Sequence, residues 1–328
     1  MTMHKWVAGL IMICALAAAP GASGQPAPGM HRIGFINSGP ASPNAPNVAA
    51  FRSGLADLGY VEGRNLVIEF RWGDQKINQL PVLVNELLST KPEVILSGGG
   101  AVTVRAVKAA TESVPIVFIT GDPVAERIVP NLARPGGNAT GFAVLAGDLE
   151  AKRLEIMQQM LPNVKRVAVV WNPTQPYVEG IVRSTEGAAS RLGMTLLSWK
   201  ARNLAELEQA FVEIASAKAD ALFIVADPVL GFERARIVEF ANRNRLPGIY
   251  FWREFAEVGG LASYGTNLTA VYRRAATYVD KILKGAKPGD LPIEQPTTFE
   301  FIINLKTAKA LGIAIPQTVR QRADEVIE

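Results

Sequence analysis

The chain has 328 residues, of which 48% are hydrophobic and 20% are charged, and its formal net charge is +4. This composition is typical of a folded globular protein, and the length allows two domains. So small a positive surplus, with Lys and Arg scattered along the chain, excludes the basic surface that nucleic-acid-binding proteins present.

The first 24 residues have the layout of a secretory signal peptide. Lys5 gives a basic start, residues 6–19 are an apolar segment, and small residues that end at Gly24 permit cleavage before Gln25. The alternative, a transmembrane anchor, needs about 20 apolar residues, which is more than this segment supplies. We therefore expect a periplasmic protein that is not inserted in a membrane once mature.

The only cysteine, Cys14, lies inside this segment. Ile13, directly before it, is larger than the small residue that a lipid-attachment site requires, so we expect no lipid anchor. The mature chain is left without cysteine, which excludes disulfides and thiolate metal sites. We also find no motif for a cofactor, and we predict none.

From residue 32 onward, strand-like and helix-like segments alternate. The first series predicts strands in RIGFINSG (32–39), NLVIEF (65–70), EVILSGG (93–99), PIVFIT (115–120) and ATGFAV (139–144), and helices in VAAFRSGLADLGY (48–60), QLPVLVNELLST (79–90) and AVTVRAVKAAT (101–111). Strands this apolar, separated by helices, predict a parallel sheet that is covered on both faces.

The pattern then begins again. The second series predicts strands in RVAVVWNP (166–173), MTLLSW (194–199), DALFIVADP (220–228) and LPGIYF (246–251), and helices in YVEGIVRSTEGAASRLG (177–193), LAELEQAFVEIASAK (204–218) and ARIVEFANRNR (235–245). The registers match, because Leu58 follows Ile33 at the same spacing as Leu192 follows Val167. The fold class is therefore α/β, with two Rossmann-like lobes.

The tail, from residue 257, starts no third unit. It contains a strand-like GGLASYG, a helical AVYRRAATYVDKIL, a Pro/Gly-rich connector, a strand-like TTFEFIIN and a short helix in LKTAKALG. Elements this isolated must complete the two sheets, which requires three crossings between the lobes. We assign residues 25–145 and 257–290 to lobe 1, and residues 146–256 and 291–328 to lobe 2.

Several long segments of the chain resemble a known family: FRSGLADLGYVEGRNLVIEFRW, DPV…IVPNLARPGGNATGF, SYGTNL…YRRAATYVDKILKGAKPGDLPIEQPTTFEFIINLKTAKALG and RADEVIE. They resemble the ABC-transporter substrate-binding proteins of the group with tryptophan- and tyrosine-binding members, from about His31 to Glu328. The resemblance implies a type I periplasmic binding fold with three hinge strands and a ligand in the cleft. It also implies closure by a hinge motion and docking on the transmembrane subunits of an ABC permease.

The loops that follow the strands are the expected ligand site, because open parallel sheets bind ligands outside the carboxyl ends of their strands. The residues of these loops that we predict to contact the ligand are Ser38, Gly39, Ser97, Gly98, Gly99, Thr120, Asp122, Trp171, Asn172, Tyr177 and Asp227. If the two halves face each other, all of these loops line one cleft.

The glycine loop at 97–100 suits a single carboxylate, because it offers a hydroxyl and free backbone N–H groups at a helix N-terminus. It is not a nucleotide loop: no Lys-Ser/Thr follows, and Thr103 replaces the last glycine of a G-x-G-x-x-G motif. The alternative is a plain strand–helix turn. The loop at Ser38 and Gly39 could act similarly, or it could only precede a helix capped by Asn47.

Asp122 and Asp227 each end a strand and precede a proline, so each could hold the ammonium of an amino acid or cap the next turn. For Asp122 the capping role is favoured, whereas for Asp227 the two roles are evenly matched. Trp171 and Tyr177 could form an aromatic wall for an apolar ligand, with Asn172 as a polar contact. Phe251 and Trp252 are as readily explained by the core.

Catalysis finds little support, because the only histidines are His4 and His31, and His31 precedes the first strand. We therefore predict a protein that is not an enzyme. It binds a small molecule, an amino acid or a small and perhaps aromatic carboxylate, and delivers it to an ABC permease. Two alternatives remain: a ligand-sensing module that feeds a receptor, and an exported α/β enzyme.

Overall fold

The computed structural model describes residues 29–144, 149–174 and 177–328. The predicted signal peptide, residues 1–24, lies outside the described residues. As predicted, the protein is an α/β protein with two sheets in two lobes. No helix in the described part of the chain is long and apolar enough to cross a membrane.

The first lobe contains a five-stranded parallel sheet in the order β2-β1-β3-β4-β5. Its strands are β1 (His31–Asn37), β2 (Leu66–Trp72), β3 (Val94–Gly98), β4 (Ile116–Thr120) and β5 (Ala139–Ala143). Its helices are α1 (Ala41–Asp57), α2 (Leu80–Ser89), α3 (Ala101–Ala110) and, from the tail, α10 (Leu268–Leu283). Every residue of β3, β4 and β5 is buried, because helices cover both faces of the sheet.

The second lobe contains a seven-stranded sheet in the order β12-β11-β10-β9-β8-β6-β7. Its strands are β6 (Arg166–Trp171), β7 (Thr195–Lys200), β8 (Ala221–Ile224), β9 (Gly248–Tyr250), β10 (Ala262–Gly265), β11 (Glu300–Asn304) and β12 (Glu325–Ile327). Only the β10–β11 pair is antiparallel among the described strand pairs.

The helices of this lobe are α4 (Leu149–Met160), α5 (Val178–Arg191), α6 (Leu204–Ser216), α7 (Pro228–Phe232), α8 (Arg234–Arg243), α9 (Arg253–Glu257), α11 (Leu305–Leu311) and α12 (Gln317–Arg320). The prediction lacked α4, α7, α9, α12 and β12. The three missed helices other than α4 and the strand β12 each span five residues or fewer, which is too short for a periodic pattern.

The three predicted crossings between the lobes are present. The chain passes to the second lobe between Val144 and Leu149, returns between Gly265 and Leu268, and crosses again between Glu294 and Glu300. The crossings are tied together, since the Thr266 hydroxyl donates to the Val144 carbonyl (3.0 Å).

The predicted boundaries of the crossings differ from the structure. Strand β10 pairs with β9 and β11 in the second sheet, so residues 257–265 do not belong to lobe 1. Glu294 still pairs with Phe142 of the first lobe, so that lobe extends past residue 290. A strand as short as β10 fits either sheet, and its sequence cannot show which sheet it joins.

Helix α1 begins earlier than predicted. The sequence predicts a helix from residue 48, but α1 begins at Ala41 and includes Pro43 and Pro46. Pro43 lies in the first helical turn, where backbone N–H groups lack helical partners, so the proline costs no hydrogen bond there. The early start places Asn44 and Asn47 on the helix beside the cleft.

Candidate functional site

A cavity of about 400 Å³ lies between the two lobes, where the carboxyl ends of both sheets meet. This volume is in the range of pockets that enclose small organic ligands, roughly 300–1,000 Å³. Of the predicted ligand contacts, the residues that line the cavity are Ser38, Gly99, Thr120, Asn172, Tyr177 and Asp227. Those that do not line it are Gly39, Ser97, Gly98, Asp122 and Trp171.

The glycine loop presents the N-terminus of α3 to the cavity. Gly99 and Gly100 have φ of +80° and +83°, which side chains disfavour, and the loop then leads into Ala101 and Val102, which line the cavity. The N–H groups at the start of a helix have no helical partner and suit an anion. The residues of this loop that line the cavity are therefore 99–102, two residues later than the predicted 97–100.

Packing and a hydrogen bond within the first lobe account for the other predicted contacts in and beside this loop. A Cβ on Gly98 would lie 2.3 Å from the Tyr272 hydroxyl oxygen, so Gly98 allows close packing under that ring. Ser97 is fully buried in β3. Ser38 lines the cavity, but its hydroxyl donates to the Gly99 carbonyl (2.9 Å), which holds two loops together.

Gly39 lies at a contact between the lobes and not on the cavity wall. A Cβ there would be 2.3 Å from Cζ of Phe232, whose ring belongs to α7 of the second lobe. Nearby, Gly100 faces Pro228, the first residue of α7. Helix α7 is thus seated against two glycine-containing loops of the first lobe.

Polar contacts also join the lobes across the cleft. The Tyr177 hydroxyl donates to Glu126 Oε1 (3.0 Å), and the Gln75 amide donates to Glu233 Oε1 (2.6 Å). Arg234 Nη2 donates to the backbone carbonyl of Pro43 (3.1 Å). The structure therefore shows the two lobes closed on the cavity.

Asp227 both caps a helix and lines the cavity. Its Oδ1 accepts from the N–H groups of Val229 (2.9 Å) and Leu230 (3.1 Å) at the start of α7. The Asn172 amide donates to both of its oxygens (3.2 Å). Burial raises the pKa of the Asp227 carboxyl to about 6, which its hydrogen bonds only partly oppose.

Asp122 has the capping role alone. Its Oδ1 accepts from the N–H groups of Val124 and Ala125 (both 3.0 Å), and it does not line the cavity. This capped turn carries the chain to Glu126, which does line the cavity. Asp122, which was predicted to contact the ligand, therefore lies off the cavity wall, and Glu126, four residues later, lies on it.

The aromatic wall differs from the prediction. Trp171 is 5% exposed, belongs to the core, and donates from Nε1 to the Ser198 hydroxyl (2.7 Å). Side chains alternate along a strand, so Trp171 faces the α4–α5 layer while the next residue, Asn172, faces the cleft. Together with Tyr177, the aromatic rings that line the cavity are those of Phe232, Phe251, Trp252 and Tyr272.

Sequence reasoning missed the buried charged side chains of the cavity, among them Glu126, Arg153 and Glu254. Glu126 is 4% exposed; its Oε2 accepts from the Thr120 hydroxyl (2.5 Å), and burial raises its pKa. Arg153 is 1% exposed and donates to Glu150 (2.7 Å), both on α4. The i, i+3 spacing of this pair was a visible signal, but such pairs occur on many exposed helices.

Within the described residues, no group of three or more His, Cys, Asp or Glu side chains is arranged to hold a metal ion. The cavity instead combines aromatic rings, hydroxyl and amide groups, and carboxylates. This combination can bind a small organic molecule that has both an apolar and a polar end.

Comparisons with known proteins give a consistent result. The model of a family described as ABC transporter substrate binding protein matches residues 37–327. A tyrosine-binding protein of Clostridioides difficile is 26% identical over 265 residues, which are 80% of this chain and 75% of that protein.

Two solved structures have the same fold as this chain. A conserved domain protein of Vibrio cholerae has a TM-score of 0.83 and 26% identity, over 90% of this chain and 99% of that one. An ABC domain of Streptococcus pneumoniae in complex with L-Trp has a TM-score of 0.83 and 23% identity, over 91% of this chain and 100% of that one.

Proposed function

The chain belongs to the family of ABC transporter substrate-binding proteins, and from this premise we propose that it is the periplasmic solute-binding component of an ABC importer. It binds one small molecule between its lobes and delivers that molecule unchanged to the transmembrane subunits of a permease. The observation that carries the proposal is the cavity between the lobes, which receives polar and aromatic side chains from both.

The mechanism is an equilibrium between open and closed lobes. A ligand that contacts both lobes binds the closed form more tightly, and it shifts the equilibrium by that difference in affinity. The contacts of Tyr177 with Glu126 and of Phe232 with Gly39 form only when the lobes are together. Closure therefore reports occupancy to the permease.

The proposed ligand is an amino acid or a small, aromatic carboxylate. The free N–H groups at the start of α3 suit its carboxylate, and the rings of Tyr177, Phe251 and Trp252 suit an aromatic side chain. The relatives support this class, since one is named for tyrosine and another contains L-Trp.

A thermal-shift titration of residues 25–328 tests the proposal. We expect L-tyrosine, L-tryptophan or benzoate to raise the Tm in a concentration-dependent way. At a ligand concentration of a hundred times Kd, the apparent free energy of unfolding should rise by about 2.7 kcal/mol. Mass spectrometry of the released compound should show it unchanged. No shift with any of the three removes the proposed ligand class, and a converted product indicates an enzyme.

A further inference from the structure

The end of the second lobe that lies opposite the cleft is rich in exposed cations. Strands β6, β8 and β9 begin there, and helices α5, α6 and α8 end there, because each helix returns the chain to the start of the next parallel strand. The antiparallel strand β11 ends there and leads into α11. We call this surface the basic pole. Its exposed Lys and Arg residues are Lys165, Arg166, Arg191, Lys218, Arg243, Arg245, Lys306 and Lys309.

Hydrogen bonds hold the segments of the basic pole together. The guanidinium group of Arg166 donates to the Lys218 carbonyl (3.1 Å), which joins the start of β6 to the end of α6. The Asn242 amide of α8 and the Thr307 hydroxyl of α11 both donate to the Gly259 carbonyl (3.0 and 2.8 Å). The cations are scattered along the sequence, and the fold gathers them on one surface.

Acidic side chains do not balance these cations. Among the described residues, the acids at the basic pole are Asp220, Glu239 and Glu328. Asp220 accepts from two backbone N–H groups around the start of β6 (both 2.8 Å), and Glu239 pairs with Arg243 (3.5 Å). Glu328 follows β12, whose last residue pairs with Asn304 of β11. Eight cations and three carboxylates give the basic pole a positive electrostatic potential.

The corresponding end of the first lobe carries acids beside its cations. Arg32 pairs there with Glu69, and Lys284 pairs with Asp280 (2.8 Å). Cations near helix C-termini are common, because they complement the helix dipole, so their presence in both lobes is ordinary. The lobes differ in their acids. Exposed acids at this end of the first lobe are Asp57, Glu62, Glu93 and Glu112.

A second cavity, of about 340 Å³, opens on the basic pole between α8 and α11. The residues that line it are Asn242, Arg245, Lys306, Thr307, Ala310 and Leu311. The side chains of Arg245 and Lys306 have no hydrogen bond or ion pair with another described residue. Two unpaired cations beside the apolar side chains of Ala310 and Leu311 suit a phosphate ester that carries an apolar chain.

Nucleic acids are the other polyanions that a basic surface attracts. Proteins that bind single strands stack the bases on aromatic rings, and the described residues that line the second cavity include no aromatic ring. The cavity also holds a single small group, whereas a nucleic acid requires a row of phosphate contacts along a groove. These features favour a phospholipid.

We infer that the basic pole binds the surface of an anionic phospholipid membrane, with a headgroup phosphate between Arg245 and Lys306. The inference rests on the proposed function for its choice of partner, because a carrier that serves a permease works beside a membrane. The basic pole lies opposite the cleft, so this contact leaves the cavity between the lobes free. It keeps near the membrane a carrier for which the sequence predicts no lipid anchor.

Co-sedimentation of residues 25–328 with lipid vesicles tests the inference. We expect binding to vesicles of phosphatidylglycerol and phosphatidylcholine in equal parts, and no binding to vesicles of phosphatidylcholine alone. Raising the salt concentration from about 0.1 M to about 1 M should release the protein, because the Debye length falls from about 10 Å to about 3 Å. Binding to both kinds of vesicle alike would overturn the inference.

A double variant then identifies the residues responsible. Arg245→Gln/Lys306→Gln should weaken binding to the anionic vesicles at least about tenfold, because each cation near such a surface contributes about fivefold. Arg64→Gln/Lys91→Gln is the matched control: it removes the same charges from exposed positions of the first lobe, and Lys91, like Arg245, has a positive φ (57° and 54°). It should change the affinity by no more than about twofold, because distant charges are screened.

The remaining outcomes are equally decisive. Equal weakening by the two double variants would mean that only net charge acts, which overturns the inference. Calorimetric binding of inorganic phosphate without vesicle binding would assign the site to a free anion, and tighter binding of a DNA duplex than of vesicles would assign the surface to nucleic acid. Either result overturns the inference as well.

Ligand binding by the same variants separates the inference from the proposed function. We expect Arg245→Gln/Lys306→Gln to bind a compound that raises the Tm as the wild type does, because the basic pole is remote from the cleft. Ligand binding without vesicle binding would overturn the inference alone. Vesicle binding as expected, with no compound that raises the Tm, would contradict the proposed ligand class and leave the membrane contact standing.

Discussion

Asp227 combines a local structural role with the ligand-binding role that we propose for it. It caps α7, the helix that meets the first lobe, and it faces the cavity. Asp122 stands in a nearly identical sequence, DPV after a buried strand, but only caps a turn. The sequence predicted both positions at strand ends, but it could not tell them apart, because the turn that follows decides which side chain reaches the cavity.

The raised pKa of Asp227 predicts a pH dependence of binding. The carboxyl titrates at about 6 in the folded protein, above its ordinary 3.8, so the free protein carries a proton there below about pH 6. An ammonium requires the ionised form, so the affinity for an amino acid should fall about tenfold per pH unit below 6. Calorimetric titration between about pH 7 and about pH 5 measures this slope.

The stability of the unliganded protein should change with pH in the opposite direction to the affinity. A raised carboxyl pKa stabilises the folded state below about 3.8, and this contribution is lost as the pH rises through about 6. Glu126, Tyr177 and Asp122 lie in the same region as Asp227, and burial also raises the pKa of Glu126.

Asp227→Asn is the control for the affinity prediction. If the affinity of this variant depends on pH with the same slope as that of the wild type, Asp227 is not the group that titrates.

At the scale of elements, helices α1 and α7 shape the site more than their sequences suggest. The prolines of α1 predict a loop, but the helix has Pro43 in its first turn and includes Pro46 in its interior, and it carries Asn44 and Asn47 to the cavity. Helix α7 has only five residues, yet it contributes Pro228 and Phe232 to the contact between the lobes. Short helices carry too few residues for a hydrophobic period, so sequence patterns cannot place them.

The contact of Phe232 with Gly39 predicts a variant that binds poorly but folds normally. In Gly39→Ala the new Cβ would lie 2.3 Å from the ring in the closed form, whereas the open form has no such clash because the ring belongs to the other lobe. We expect ligand affinity to fall at least about tenfold, with little change in the free energy of unfolding without ligand. Calorimetry and thermal unfolding measure the two quantities.

Two controls make this prediction specific. The double variant Gly39→Ala/Phe232→Ala removes the clash, so its affinity should return to that of Phe232→Ala alone. Gly187→Ala, in helix α5, has its nearest neighbour at 3.7 Å and should leave the affinity unchanged. Normal binding by Gly39→Ala would mean that the closed contact between α7 and Gly39 does not form in solution.

At the scale of the molecule, the repeated alternation of apolar strands and helices predicted the two lobes and their three crossings. These features depend on apolar residues that each segment shows in its own sequence. Examples are β3, which is fully buried, and β6, which is buried after its first residue. The residues of the site were predicted only in part, because the approach of the two lobes decides which side chains line the cavity. Tyr177 and Glu126 are 51 residues apart, and no local pattern records that they meet.

A crystal structure of residues 25–328 with a compound that raises its Tm tests the central claim most directly. We predict one molecule enclosed between the lobes, with polar contacts to the start of α3 in the first lobe and to Asp227 in the second. A compound bound on the outer surface, or held by one lobe with the cleft empty, would contradict the account.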